Sequence, residues 1–142
     1  TLGIEGMPLL RFKTGDMVTA HHDSCNCGRN TMRLGPVVGR KKQMIKYKGT
    51  TLYPPAMDNI LNDFNQVDSY IIEISHNSIG TDEILIKIAS QAASENLLQE
   101  IKDHFRAKLR VTPKIEFHDK KEIQKLQFPK MSRKPIVVID KR

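Results

Sequence analysis

The sequence predicts an α+β fold, an antiparallel sheet with two helices packed on one face, preceded by a short β-rich segment. Three observations carry this. Two β-branched runs, "DSYIIEIS" and "TDEILIKIAS", flank a turn-forming "HNSIGTD"; one long helical stripe follows them; and residues 1–38 hold only brief stretches punctuated by glycine and proline.

Taken in order, "GMPLLRFKTGDMVTAHH" reads as two or three short strands and turns, with no helical period. Residues 39–53 alternate apolar and polar side chains and carry Gly49 as a turn signal, which predicts a hairpin. Pro54 and Pro55 pre-set φ for a first helical turn, and Ala56, Ile60, Leu61 and Phe64 recur at helical spacing, so a helix is expected over about 55–64. The two β-branched runs pair as an antiparallel hairpin. From Ser94 to Arg110, Leu97, Leu98, Ile101, Phe105 and Leu109 fall on one stripe behind a serine cap, with basic residues toward the far end. Pro113 ends that helix, "KIEFH" reads as a strand, and "KPIVVID" is a last apolar segment. The expected division is a β-rich segment at 1–38 and an α+β domain at 39–142.

Composition narrows the function. A chain of 142 residues with 39% hydrophobic and 27% charged residues belongs with globular proteins that bury a core. Its longest aliphatic run, Ile136 to Ile139, is far below the ~20 residues of a spanning helix, so no membrane partner is expected. Cys25 and Cys27 stand one residue apart, poor geometry for a disulfide and typical of a reducing compartment, hence the expectation of a cytoplasmic protein. A net charge of +7 suits anionic partners such as nucleotides, phosphorylated cofactors or nucleic acid. "GRKKQMIKYKG" at 39–49 concentrates five basic residues.

The stretches "MPLLRFKTGD" (7–16), "VVGRKKQMIKYKGTTLYPP" (37–55) and "SRKPIVVIDKR" (132–142), in this order and spacing, resemble the C-terminal part of the acyl-adenylate-forming ligases, most closely the phenylacetate-CoA ligase family. The resemblance covers nearly all of the chain. It implies a small domain, residues 39–142, that swings beside a larger N-terminal adenylating domain of the same protein, with residues 1–38 as the tail of that larger domain or the linker to it. With ATP and Mg2+ the whole enzyme would activate an aryl carboxylic acid as its acyl-adenylate, releasing pyrophosphate. Coenzyme A would then displace AMP. The phosphate loop and acid pocket of such enzymes are missing from these residues, so the isolated chain is expected to be inactive, and an uncovered interdomain surface makes a homodimer conceivable.

Residue by residue, the resemblance gives Asp16 the nucleotide ribose, whose vicinal hydroxyls match two carboxylate oxygens. Otherwise Asp16 is a turn residue after Gly15. Arg40 becomes a nucleotide ligand, or else a solvated arginine. Lys42 matches the hinge. Lys46, a candidate catalytic residue, and Gly49, Thr50 and Thr51, candidates for the coenzyme A contact, correspond to the hairpin that faces the active site during thioester formation, although an ordinary hairpin would use the same residues. Lys134 matches the lysine that bridges carboxylate and α-phosphate during adenylation, where an ammonium meets charge developing in the transition state. The family pattern places glycine before that lysine; here Arg133 precedes it and Pro135 follows.

Two further readings stand beside these. His22, Cys25 and Cys27 are weak candidates for metal ligands, since the usual second pair is missing, and free thiols are the leading reading. A free-standing basic α+β module binding RNA or a regulatory ligand is the alternative function. An RNA reader would show aromatic stacking residues on its sheet, and no aromatic-glycine run occurs here, so nucleic acid is disfavoured.

Overall fold

The computed structural model describes residue 6 and residues 9–129 and 133–142. Met7, Pro8 and Ser132 of the quoted motifs lie outside the described residues. The chain divides into two compact units, Thr1–Gln43 and Met44–Arg142.

In the first unit, β1 (Asp16–His21) pairs antiparallel with β2 (Arg33–Arg40), from Asp16 opposite Arg40 to His21 opposite Arg33. Gly15 enters the ladder with φ +80°, a conformation costly for any residue bearing a Cβ, and its carbonyl accepts from the Lys41 N–H at 2.8 Å. Leu10, Phe12, Leu34 and Val37 are each at least 60% exposed, so this ribbon builds no core of its own. The expected boundary at 38/39 falls inside β2. Residues Lys41–Gln43 then form a single 3-10 turn.

The second unit is the α+β sandwich. Strands β3 (Ile45–Tyr47) and β4 (Thr50–Leu52) make a small hairpin. Helix α1 (Pro54–Asn62) follows, then β5 (Ser69–His76), β6 (Asp82–Ala89), α2 (Glu95–Leu109), β7 (Lys114–Phe117), α3 (Lys120–Gln127) and β8 (Val138–Asp140). The main sheet runs β7-β6-β5-β8.

Strand alternation sorts its two faces. Ile72, Ile74, Ile84, Ile86 and Ile88 meet Met57, Ile60 and Leu61 of α1 and Leu97, Ile101 and Phe105 of α2 in the main core. The serine cap is in place, with Ser94 Oγ accepting from the Leu97 N–H at 3.2 Å, and Arg110 ends α2 in the left-handed conformation.

The α+β class and the two helices on one face agree with the sequence reading, and three details differ. First, within the main sheet only β5 and β6 are antiparallel; β7 runs parallel to β6, and β8 parallel to β5. For β7 the reason is topological, because helix α2 between the neighbouring strands β6 and β7 returns the chain to its starting end. Second, α3 (Lys120–Gln127) has no counterpart in the sequence reading. It packs on the opposite face, where Ile123 meets Ile71, Ala89 and Ile139, and with Leu126 still 40% exposed it has almost no apolar stripe to read. Third, residues 39–53 are not one hairpin: the end of β2, the 3-10 turn and β3–β4 share them.

Candidate functional site

The hairpin earns its shape from its turn. Lys48 and Gly49 take φ of +48° and +79°, positive at both central positions as a two-residue primed turn requires. Ile45, Tyr47 and Leu52 point into the core, which leaves Lys46 and Thr51, directly paired across the ladder, on the outer face. The Tyr47 hydroxyl and the Lys48 ammonium both donate to the Thr112 carbonyl, at 3.2 and 3.3 Å. Of the expected coenzyme A residues, Gly49 lies in this turn, Thr50 follows it and Thr51 stands opposite Lys46. Lys46, Lys48 and Gly49 line an open groove of about 750 Å³ together with Glu73, Asn77 and Lys141.

Glu73 is the electrostatic centre of that groove. Its carboxylate sits between Lys87 Nζ at 2.8 Å and Lys141 Nζ at 2.9 Å. Burial alone would raise its pKa, but the hydrogen bonds from Lys141 and Lys87 outweigh it and hold the group below its ordinary value. A carboxylate depressed in the folded state contributes stability above its unfolded pKa of about 4.3, and that contribution disappears as pH falls through the folded value. The melting temperature should therefore drop between about pH 5 and pH 3, and Glu73→Gln should make that drop shallower. An unchanged slope in the variant would show that Asp63, Glu116 and Asp140, also depressed, account for it instead.

Asp16 and Arg40 are brought together by register. They oppose each other at one end of the β1–β2 ladder, with Arg40 Nε 3.5 Å from Asp16 Oδ1 and the arginine side chain 70% exposed. So open a pair stabilises the ribbon by ~0–1 kcal/mol at most, and both groups keep capacity for a ligand. Lys42 is exposed in the 3-10 turn.

Lys134 is exposed on the segment between α3 and β8. That segment is fixed near the start of β5, since the Ile136 N–H donates to the Gln127 carbonyl at 2.8 Å and Gln127 Nε2 donates to the Tyr70 carbonyl at 3.0 Å. The Lys46 N–H instead donates to Asp82, which pairs with His76 at the other end of β5. From Tyr70 to His76 a strand covers about 20 Å at ~3.3 Å per residue. Lys46 and Lys134 are thus carried at opposite ends of one sheet.

Cys25 and Cys27 are free thiols with their sulfurs 2.9 Å apart, and the hydrogen bond to Cys25 draws the Cys27 pKa down. Among the described residues no three His, Cys, Asp or Glu side chains group as a cation cage, so His22 completes none with these thiols. No helix among them is long and apolar enough to cross a membrane.

Residues 49–142 match the AMP-binding enzyme C-terminal domain. The chain belongs to that family. The kinship with phenylacetate-CoA ligases read from the motifs is borne out as well: the phenylacetate-coenzyme A ligase of Thermus thermophilus is 33% identical over 101 residues, 71% of this chain and 22% of that protein. A solved 2-hydroxyisobutyryl-CoA ligase in a postadenylation state, bound to an acyl-AMP, superposes with a TM-score of 0.61 at 25% identity, covering 90% of this chain and 28% of that one. The same enzyme with acyl-AMP and CoA in its thioesterification state gives 0.54 at 26% identity, over 89% and 27%. A solved domain of phenylacetate-coenzyme A ligase from Bacteroides vulgatus shares the fold, with a TM-score of 0.52 at 24% identity over 70% of this chain and 92% of that one. The chain spans about a fifth of the length of the curated relative. The family match includes Gly49, Thr50, Thr51 and Lys134, and stops short of Asp16, Arg40, Lys42 and Lys46.

Proposed function

We propose that this chain is the C-terminal portion of an ATP-dependent aryl-acid CoA ligase, which makes an acyl-adenylate and then an acyl-CoA, with residues 39–142 as its mobile small domain. The observation that carries the reading is the separation of two exposed lysines, Lys46 and Lys134, by the length of β5. Two cations so far apart cannot serve one small reacting centre together, whereas a domain that turns between half-reactions can offer each in sequence. Neighbours captured with acyl-AMP, and with acyl-AMP and CoA, support this.

In this reading the own N-terminal adenylating domain supplies the acid pocket and most of the phosphate contacts, and the exposed apolar side chains of the β1–β2 ribbon suit a covered surface. The Asp16 carboxylate fits ribose hydroxyls, and the neighbouring Arg40 fork fits ribose or phosphate oxygens. Lys42 lies in the short turn that would absorb the rotation. Mg2+ would enter on the nucleotide phosphates, where it neutralises charge. At the thioester step the primed turn at Gly49 lets backbone approach pantetheine, with Thr50 and Thr51 as hydroxyl partners and Lys46 beside them.

The test is Lys46→Ala in the ligase that carries the large domain. Thioester formation from pre-made acyl-adenylate should fall about tenfold, the effect of losing one contact of ~1.4 kcal/mol, while pyrophosphate release stays within about twofold. Equal loss in both half-reactions would remove Lys46 from the thioester face.

A further inference from the structure

The hairpin that carries Lys46 is a separate two-stranded sheet and makes no ladder with the main one. Its three-residue strands would leave the direction of Lys46 poorly fixed. Yet the peptide groups on both sides of Ile45 are held. The Met44 carbonyl accepts from Arg142 Nη1 at 3.0 Å, and the Lys46 N–H donates to Asp82 Oδ2 at 2.8 Å. Those two anchoring groups are themselves bonded, because Arg142 Nη1 also donates to Asp82 Oδ2 at 3.0 Å.

The cluster is built on all sides. Asp140, two residues before Arg142, accepts from its Nη2 at 2.7 Å and its Nε at 2.9 Å, so the guanidinium plane is fixed. His76 Nδ1 lies 3.2 Å from Asp82 Oδ1. The Asp82 side chain is 8% exposed and that of Arg142 16%, so both charges are largely withdrawn from water and lean on their partners.

We propose that Arg142 and Asp82 are positioning residues that aim Lys46 for the thioester step. They act through backbone, by fixing the two peptide planes that determine where the Lys46 side chain leaves the strand, and they do so one and three residues past Gln43, where the first compact unit ends. When the small domain turns, the hairpin then travels with the sheet as one piece. This rests on the reading of the hairpin given above. Nothing in the spacing of Asp82 and Arg142, sixty positions apart in sequence, announces it.

The experiment compares Arg142→Met, Arg142→Lys and Lys46→Ala in the ligase carrying the large domain, alongside amide hydrogen exchange at Lys46 in the 142-residue chain. Arg142→Met should slow thioester formation from pre-made acyl-adenylate about tenfold, leave adenylate formation within about twofold, and speed exchange at the Lys46 amide by about tenfold or more. Arg142→Lys keeps the charge beside Asp82 but cannot reach Met44 and Asp140 in one plane, so it should recover part of the loss. If Lys46→Ala impairs the thioester step and both Arg142 variants leave it unchanged, or slow both half-reactions equally, the positioning role is overturned while the hairpin reading stands. If Lys46→Ala has no effect on the thioester step, both fall together. Should Arg142→Met not fold, the lysine variant alone decides by the same split.

Discussion

Replacing Lys134 by alanine in the ligase that carries this domain is expected to slow acyl-adenylate formation by ~10²–10³, and to leave thioester formation from pre-made acyl-adenylate within about twofold. The size follows from what the ammonium is proposed to do. As the acid oxygen attacks the α-phosphate, charge gathers on oxygens that were less negative in the ground state, and a cation placed there only for that step lowers the barrier selectively; one lost group of this kind costs about 3–4 kcal/mol. The local sequence keeps this cation on a non-helical segment. Pro135 biases Lys134 away from helical backbone, and the segment runs on into β8 through Ile136, tied to Gln127. Arg133, where the family pattern has glycine, adds a second charge next door. Measuring pyrophosphate release for Lys134→Ala and Arg133→Ala separates the two residues. A larger loss in the arginine variant would move the role to position 133, and equal loss of both half-reactions in the lysine variant would remove it from the chemistry.

Much of this is legible in the sequence, and the limits have physical causes. Helix α2 declares itself because five apolar residues share one face behind a serine that caps it, and the β5–β6 pair because β-branched alternation brackets an asparagine-glycine turn whose Asn77 side chain accepts from the Ile79 and Thr81 amides. Helix α3 was hidden because it buries only Ile123; a helix that covers one end of a sheet face needs no long stripe. The parallel direction of β7 and β8 is a property of connections, which strand composition does not encode. In the site, Lys46 and Thr51 are neighbours by hairpin alternation, which sequence reports well. The pairing of Asp16 with Arg40 depends on β1–β2 register, with two irregularities near Val18 that no spacing argument anticipates. The network of Asp82, Arg142, Asp140 and His76 is invisible in sequence for a similar reason: His76 and Asp82 pair in the β5–β6 hairpin, but Asp140 and Arg142 reach them only through the crossover that sets β8 beside β5.

Phe105→Ala is expected to destabilise the Met44–Arg142 unit by about 3–5 kcal/mol, a large share of the ~5–15 kcal/mol that holds a domain of this kind together. Phe105 is fully buried on α2, among the isoleucines of β5 and β6 and in the same cluster as Met57, Ile60 and Leu61 of α1. That cluster also contains Ile45, Tyr47 and Leu52, which is why the loss reaches the hairpin: the outward direction of Lys46 depends on its neighbours staying buried. A ring removed from so closed a place leaves a cavity that α2 cannot collapse around, since Ile101 one turn earlier is equally buried. Urea unfolding of the chain, followed by circular dichroism, should show a lower midpoint with a similar slope. Leu126→Ala on α3, at a side chain already 40% exposed, should cost well under half as much. If the two variants lose comparable stability, the main core does not lie between α1, α2 and the sheet as described. In the ligase, Phe105→Ala should depress both half-reactions together as temperature rises, because it removes the platform from which Lys46 and Lys134 are both presented, in contrast to the selective losses expected at either lysine.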